Sequence, residues 1–195
     1  MIDEIKFLIE IDKLKNIFRQ TMVLNGIRQE NDAEHSWHMA MSAIVLEKYH
    51  NETVDMKKVL KMALIHDIVE IYAGDTPAFG THNPNKYNDE LKSAEKIFSL
   101  LPEKLEKEMM NLWLEFELLE SPEAKFAKAC DTFQGFLQNI TSDGHSWRKY
   151  KVKESAFCKR MEPIKLYIPQ VYEEVVLPEL EKYINKGVIE RDIIK

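Results

Sequence analysis

The sequence predicts an all-α fold, and three observations support this prediction. Glycine and proline, which interrupt regular structure, number only six and seven among 195 residues. Alternating runs of polar and β-branched residues, which indicate strands, are scarce. Apolar residues instead recur at helical spacing between residues that favour helix ends. We therefore expect one helical domain over residues 1–195, a length that suits a single core.

Capping residues and prolines divide the chain into seven predicted helical regions. Asn31 or Asp32 can cap the second region, and Ser121 can cap the sixth, with Pro122 in its first turn. Gly187 is expected to end the last region. The regions cover residues 3–17, 31–50, 55–73 and 89–100, the stretches that begin at 102 and at 121, and residues 152–186.

The last third of the chain is expected to be helical but interrupted. It contains Pro163, Pro169 and Pro178, each of which can break or kink a helix. Its apolar segment "YIPQVYEEVVLPEL" is expected to complete the bundle, with contact to a second subunit as the alternative. Cys130 and Cys158 are too far apart to form a metal knuckle or a redox pair, so we expect reduced thiols.

Composition and charge exclude several classes of protein. A formal charge of −6 argues against binding to a nucleic-acid polymer, although a small anionic substrate remains possible beside a local cation. The sequence lacks an apolar run long enough to span a membrane. The acidic start "MIDEIKFLIEID" does not resemble a secretory signal. We therefore expect a cytoplasmic protein.

The third predicted helix carries polar groups where its neighbours indicate a core. The stretch "MALIHDIVEIYAGD" is apolar in nearly every direction, which is typical of a central, buried helix. Glu70 follows Asp67 by three residues and His66 by four, so these side chains share one face. Burying a charge is unfavourable unless a partner or a metal compensates. A polar patch on such a helix indicates a metal or catalytic site.

A His-Asp pair alone is weak evidence for a metal site, because many such pairs are solvated or simply hydrogen-bonded. Two candidate ligands on other predicted helices strengthen the interpretation: His35 in "NDAEHSWHMA" and Asp131 in "EAKFAKACDTFQGFL". With His66 and Asp67 they would supply two nitrogens and two carboxylate oxygens, which suit a divalent ion such as Mn, Co, Fe or Zn. Spacing alone leaves open whether the three helices converge.

These residues resemble the H…HD…D signature of the HD-domain metal-dependent phosphohydrolases. The match consists of His35, the pair His66-Asp67, and Asp131. The segments "ENDAEHS", "HDIVEIYAGDTP" and "LLPEKLEKEMMNLWLEFE…SPEAKFAKACD" are similar to the branch that contains the 5′-deoxynucleotidases. The resemblance is clearest over residues 14–135. It implies an all-α HD-domain helical bundle, commonly dimeric, with the metal site between its central helices.

The resemblance also implies a role for each matched position. His35, His66, Asp67 and Asp131 would be the four ligands of one divalent metal ion. Glu70, in the HDxxE position, would be the catalytic carboxylate.

Two further positions are implied to act on the substrate. Asp75, in the "GDTP" turn, would position the reacting water or hold the nucleotide sugar. Arg19, in "KNIFRQTM", would bind the substrate phosphate. The sequence departs from the family directly after this arginine. Relatives carry a tryptophan within a few residues, where it contributes to the nucleotide pocket, whereas this chain continues "QTMV".

The predicted function is that of a homodimeric metal-dependent phosphohydrolase that removes phosphate from (deoxy)ribonucleoside 5′-monophosphates. Two alternatives stay open: an HD hydrolase of a triphosphate, cyclic dinucleotide or alarmone, and a non-catalytic nucleotide-sensing protein. Among nearby residues, His38 is a weaker candidate for a fifth ligand. Lys128 could meet phosphate but is expected to be solvated, and His82 could gate the pocket or be solvated as well.

Overall fold

Helices dominate the computed structural model, which describes residues 1–80 and 83–192 and confirms the all-α prediction. His82 lies outside the described residues. The α-helices of the described ranges are α1 (Ile2–Ile11), α2 (Asp32–Leu46), α3 (Met56–Ile65), α4 (Glu70–Ala73), α5 (Lys86–Phe98), α6 (Glu103–Leu118), α7 (Pro122–Thr141), α8 (His145–Lys149), α9 (Glu154–Arg160), α10 (Glu162–Tyr167), α11 (Pro169–Val171) and α12 (Leu177–Asn185). Short 3-10 turns cover Asp12–Asn16, Leu24–Gly26 and Glu47–Tyr49, and a π-helical turn covers Tyr172–Val176.

A two-stranded hairpin precedes α2, and the sequence did not predict it. β1 (Phe18–Met22) pairs antiparallel with β2 (Gln29–Asn31). The paired positions are Phe18 with Asn31 and Met22 with Gln29. The predicted first helix over residues 3–17 is wrong at its end, because α1 stops at Ile11 and the chain becomes extended soon afterwards. Pairing with a partner strand stabilises this conformation, and a local pattern does not report such a contact. The hairpin brings Arg19 to the start of α2.

The third predicted helix is broken at His66 and Asp67, so the prediction of one helix over residues 55–73 is wrong in its middle. Four residues of tight turn separate α3 from α4. His66 N still bonds to Met62 O, four residues back, but the bonds that follow reach three residues back, as from Glu70 N to Asp67 O at 2.9 Å. Adjacent side chains on a regular α-helix point about 100° apart. In a turn of three residues they point about 120° apart, and His66 Nε2 here lies 3.1 Å from Asp67 Oδ2.

Side-chain caps begin two of the helices that carry site residues, as predicted. The Asn31 side chain accepts a hydrogen bond from the Glu34 N–H, and the Glu34 side chain accepts one from the Asn31 N–H. This reciprocal capping box begins α2. The Ser121 hydroxyl accepts a hydrogen bond from the Ala124 N–H, and Pro122 is the first residue of α7.

The central core lies where α2, α3 and α7 pack against one another. Cys130 is fully buried there as a free thiol, in agreement with the predicted reduced state. Fully buried neighbours on these three helices are Met39, Ala43, Val59, Met62, Ala63 and Phe126. The third helix is nevertheless not buried on every side, because Leu64 is 53% exposed. Two of the predicted metal ligands, His35 and Asp131, lie on α2 and α7, and the other two, His66 and Asp67, lie in the turn that follows α3.

The C-terminal segment completes the bundle, as predicted. Pro169 begins α11, and Pro163 and Pro178 lie in the first turns of α10 and α12. Gly187 follows α12 with a left-handed φ of 68°, a conformation that glycine adopts without strain. Side chains of this segment that enter the core are Ile164, Ile168, Val171, Tyr172, Val176 and Leu180. Among the described residues, no helix combines the length and the apolar character that crossing a membrane requires.

Candidate active site

Three separate elements bring the predicted metal ligands together. His35 lies on α2, His66 and Asp67 lie in the turn after α3, and Asp131 lies on α7. His35 Nε2 is 3.2 Å from Asp131 Oδ1 and 3.7 Å from Asp67 Oδ2. His66 Nε2 is 3.1 Å from the same Asp67 oxygen. All four residues are buried. The helices thus converge, which their spacing had left open.

The two imidazole rings of this cluster are arranged to bind a cation. His35 Nδ1 is 2.6 Å from Gln134 Oε1, and His66 Nδ1 is 3.0 Å from the backbone oxygen of Ala63. Because these oxygens can only accept, each ring carries its proton on Nδ1. Both Nε2 atoms are buried and have no hydrogen-bond partner among the described residues.

A divalent metal ion fits this donor set. A buried lone pair without a partner is unfavourable, and here two such nitrogens face carboxylate oxygens. Two imidazoles and two carboxylates can bind a borderline divalent ion and leave positions open. The charge of Asp67 raises the pKa of His66 although burial opposes this shift. A proton and a metal ion would therefore compete for His66 Nε2.

A second cluster of carboxylates adjoins the first and already contains a cation. Asp32, Asp67 and Glu70 each place an oxygen within 4.8 Å of the others. Arg19 Nη1 lies 2.6 Å from Asp67 Oδ2 and 3.1 Å from Asp32 Oδ1. Since a guanidinium is always charged in proteins, it supplies the counter-ion of this cluster. The Nε2 atoms of the two histidines, in contrast, have no such partner among the described residues.

Burial and neighbouring charges give the carboxyl groups of the second cluster unusual pKa values. Burial, followed by the charges of Asp67 and Asp32, raises the pKa of Glu70 well above its usual range. Burial and the charge of Asp67 raise the pKa of Asp32 to about 7, although Arg19 opposes this shift. Burial also raises the pKa of Asp75. The raised pKa of Glu70 favours its protonated form, the form in which a carboxyl group acts as a general acid.

The two aspartates that face the histidines have lowered pKa values. Burial opposes the ionisation of Asp67, but the charges of His66 and Arg19 hold its pKa below the usual range. Burial also opposes the ionisation of Asp131, yet the nearby cation Lys128 helps to hold its pKa well below the usual range. Both side chains are therefore ionised, as metal ligands must be.

A cavity of about 900 Å³ opens onto both clusters, a volume that accommodates a nucleotide-sized ligand. Arg19, Glu70 and Asp75 all line it, so the structure brings these predicted site residues to one space. Gln20 and Thr21, which follow Arg19 directly, also line it. Basic side chains on its wall are Lys86, Lys128, Lys151, Lys153, Lys159 and Arg160. A cavity with an acidic centre and a basic wall can hold an anionic ligand beside a metal ion.

Sequence reasoning missed part of this site. Asp32 was interpreted as a possible helix cap, yet the structure buries it completely beside Arg19. Its position three residues before His35, on a shared helix face, was the available signal. Lys128 is not simply solvated, because its Nζ lies 2.8 Å from Asp131 Oδ2. His38 Nδ1 lies 3.3 Å from the Gln134 amide nitrogen rather than in the ligand cluster.

Comparison with known proteins gives matches at the level of family, sequence and structure. Residues 11–171 match the family model described as HD domain. The human 5′-deoxynucleotidase HDDC2 is 33% identical over 136 residues, which cover 69% of this chain and 65% of the human protein. The zebrafish (Danio rerio) protein of the same name is 32% identical, with 69% and 66% coverage. The chain thus matches slightly less than two thirds of the length of these relatives.

A solved structure matches over nearly the whole length of both chains. It is a crystal structure of a protein from Magnetospirillum magnetotacticum that is described as a predicted metal-dependent phosphohydrolase. The two chains are 37% identical, each is covered over 96% of its length, and the TM-score is 0.88.

Proposed function

The chain belongs to the HD-domain family, and we propose that it is a metal-dependent phosphohydrolase that removes phosphate from (deoxy)ribonucleoside 5′-monophosphates. One observation carries the proposal. The Nε2 atoms of His35 and His66 are buried without partners and face Asp67 and Asp131 beside a cavity of nucleotide size. The 5′-deoxynucleotidase names of the human and zebrafish relatives support this substrate class.

The proposed metal ligands are His35, His66, Asp67 and Asp131. The donor set suits one divalent ion, and Mn, Co, Fe and Zn are the candidates. The chemistry that such an ion supplies when bound is Lewis acidity towards a phosphoryl oxygen and towards water. The side chains that surround it would bind the substrate and transfer protons.

Glu70 is the proposed group for proton transfer. Its Oε2 is buried without a hydrogen-bond partner among the described residues, and its side chain lines the cavity. Its raised pKa allows it to exchange a proton with the attacking water or with the leaving sugar oxygen. Asp75, which lines the same cavity, would position the reacting water or hold the sugar.

Arg19 is the proposed phosphate-binding residue. Its Nη1 contacts Asp32 and Asp67, which fixes the plane of the guanidinium beside the metal ligands. Its remaining N–H groups can donate paired hydrogen bonds to phosphate oxygens, a geometry that lysine cannot reproduce. This arrangement would hold the phosphate between a fixed arginine and the proposed metal.

Phosphate release from a panel of nucleotides tests the proposal. The full-length protein is stripped with a chelator, reloaded with Mn²⁺ or Co²⁺, and given deoxyribo- and ribonucleoside monophosphates. The corresponding triphosphates, a cyclic dinucleotide and an alarmone complete the panel. We expect release from monophosphates that stops with the chelator and returns with the metal. Release confined to another member of the panel would replace the proposed substrate.

The same panel distinguishes the enzyme from a nucleotide sensor. Metal-loaded protein that binds nucleotides but releases no phosphate from any of them would contradict the hydrolase. A preparation of the Glu70→Gln variant, purified in parallel, controls for contaminating phosphatases, since such a contaminant would be equally active in both samples.

We also propose a homodimer in the cytoplasm. Trp37, Met41, Ile44 and Val45 are exposed and, by their spacing, share one face of α2. An exposed apolar face of this kind is typical of an interaction surface, which supports the dimer. Light scattering on the purified protein measures its mass, and a monomer at micromolar concentration would contradict the dimer. Cell fractionation tests the location.

A further inference from the structure

A buried carboxylate lies behind the histidine cluster, outside the residues assigned to the active site. Glu30 in β2 is 1% exposed. Its Oε1 accepts hydrogen bonds from Gln134 Nε2 at 2.5 Å and Gln138 Nε2 at 2.7 Å, and its Oε2 accepts one from the Thr21 hydroxyl at 3.0 Å. All three donors are neutral. In each of these hydrogen bonds Glu30 is the acceptor.

Glu30 determines which way the amide of Gln134 points. Because a carboxylate oxygen cannot donate, the NH₂ of Gln134 must face it. The second hydrogen of this NH₂ can reach His38 Nδ1 at 3.3 Å. A reversed amide would place two acceptor oxygens against one another in a buried space, which is unfavourable. Gln134 Oε1 is therefore fixed towards His35 Nδ1, at 2.6 Å.

The fixed amide oxygen in turn determines the proton position on His35. An oxygen acceptor at Nδ1 requires a proton on that nitrogen. Nε2 is then left as the lone-pair nitrogen, and it faces Asp131 Oδ1 and Asp67 Oδ2. We propose that Glu30 and Gln134 are positioning residues that hold His35 in the tautomer and orientation required for metal binding.

This inference rests on the metal site of the proposed function but not on the identity of the substrate. The other histidine has a different support, since His66 Nδ1 contacts the backbone oxygen of Ala63. No side-chain substitution removes that oxygen, whereas the support of His35 depends on two side chains. Residues that orient a metal ligand in this way contribute about 10–100-fold to metal affinity.

The primary test is the affinity of the full-length protein for Zn²⁺ and Co²⁺, measured by competition with a chelator in the absence of substrate. Gln134→Met removes the acceptor at nearly constant size, and we expect affinity to fall about 10–100-fold. Gln138→Met is the matched control, because it removes a donor to Glu30 from the same helix without reaching His35. It should retain the wild-type affinity.

A spectroscopic measurement separates positioning from a general loss of stability. In the Zn²⁺-loaded wild-type protein we expect a slowly exchanging His35 Nδ1 proton in ¹H–¹⁵N spectra, because its acceptor is buried. The signal should disappear in Gln134→Met and remain in Gln138→Met. A preserved signal together with an unchanged affinity in Gln134→Met would overturn the inference.

An exchange of the two side chains provides a rescue experiment. Glu30→Gln alone allows the Gln134 amide to turn, and Gln134→Glu alone places two carboxylates together, so each should weaken metal binding. In the double variant, the new amide at position 30 can donate to the new carboxylate at position 134, which still accepts from His35. We expect the double variant to recover affinity. If the loss of metal affinity in the double variant equalled the sum of the losses in the two single variants, the inference would be contradicted.

The outcomes also distinguish this inference from the proposed function. Wild-type protein that binds neither ion would contradict both. Tight binding by the wild type together with equally tight binding by Gln134→Met would contradict only the role of Glu30 and Gln134.

Discussion

The two halves of the active site carry their charges in different ways. On one side, His35 and His66 present buried nitrogens that have no partner among the described residues. On the other side, Asp32 and Asp67 are held by Arg19 at 3.1 and 2.6 Å. Arg19 thus gives two carboxylates of one side a partner from the chain itself, whereas we propose that an added ion completes the two histidines of the other side. We therefore assign metal binding to the histidine side and phosphate binding to the side that contains Arg19.

The largest expected effect comes from the histidine side. Removing one metal ligand by His66→Ala or Asp131→Ala should abolish both metal binding and phosphate release. His50→Ala is the matched control. The Nε2 of His50 is also buried without a partner among the described residues, but the residue belongs to neither cluster. Metal titration and phosphate release measure the result, and retained metal binding in both ligand variants would remove the contrast between the two sides.

The next effect separates chemistry from metal binding. Glu70→Gln should leave metal affinity intact and lower turnover about 10²–10⁴-fold, because the amide cannot transfer the proton. Glu90→Gln is the control, since Glu90 is also buried on the cavity wall but pairs with Lys86 at 3.3 Å. Turnover at saturating substrate is the measurement. An unaltered rate in Glu70→Gln would exclude this carboxylate from the chemistry.

A smaller effect is expected on the arginine side. Arg19→Lys keeps the positive charge beside Asp32 and Asp67 but loses the paired donors. A charge-assisted hydrogen bond contributes about 1.5–3 kcal/mol, so KM should rise about ten- to hundredfold while metal affinity stays constant. Arg28→Lys, which contacts Glu34 at the surface close to β2, is the control. Equal KM values for the two variants would argue against phosphate binding by Arg19.

The smallest effect should fall on stability alone. Ser121→Ala removes the cap of α7, which carries Asp131, and should lower the free energy of unfolding by about 1 kcal/mol. Urea denaturation measures this loss. Metal affinity should not change, because the cap lies nearly three helical turns from Asp131. If Ser121→Ala also lowered metal affinity, losses of affinity in the ligand variants could be explained by lower stability of the fold and not by removal of a ligand.

The sequence predicted the parts of the fold and of the site that depend on local chemistry. Asn31 and Ser121 were identifiable as caps because the bonds that they accept come from residues three positions on. The H…HD…D signature identified the four residues that the structure brings together. It did so by resemblance, since spacing gave no information about how α2, α3 and α7 pack.

The parts that the sequence did not predict depend on contacts between distant residues. The hairpin that carries Arg19 forms by strand pairing, and the break at His66 forms where the helix tightens around the site. Asp32 resembled an ordinary capping residue because its burial beside Arg19 arises only in the folded chain. Gln134 and Glu30 lie 104 residues apart, so no local pattern connects them.

Helix α7 carries both a proposed metal ligand and the residue that supports another ligand. Asp131, the proposed ligand, and Gln134, which supports His35, lie about one turn apart on this helix. Any shift or rotation of α7 moves both side chains together, so the position of one cannot change without that of the other. A laboratory search for altered metal preference should therefore begin at the turn that carries His66 and Asp67, whose backbone can change while α7 stays in place.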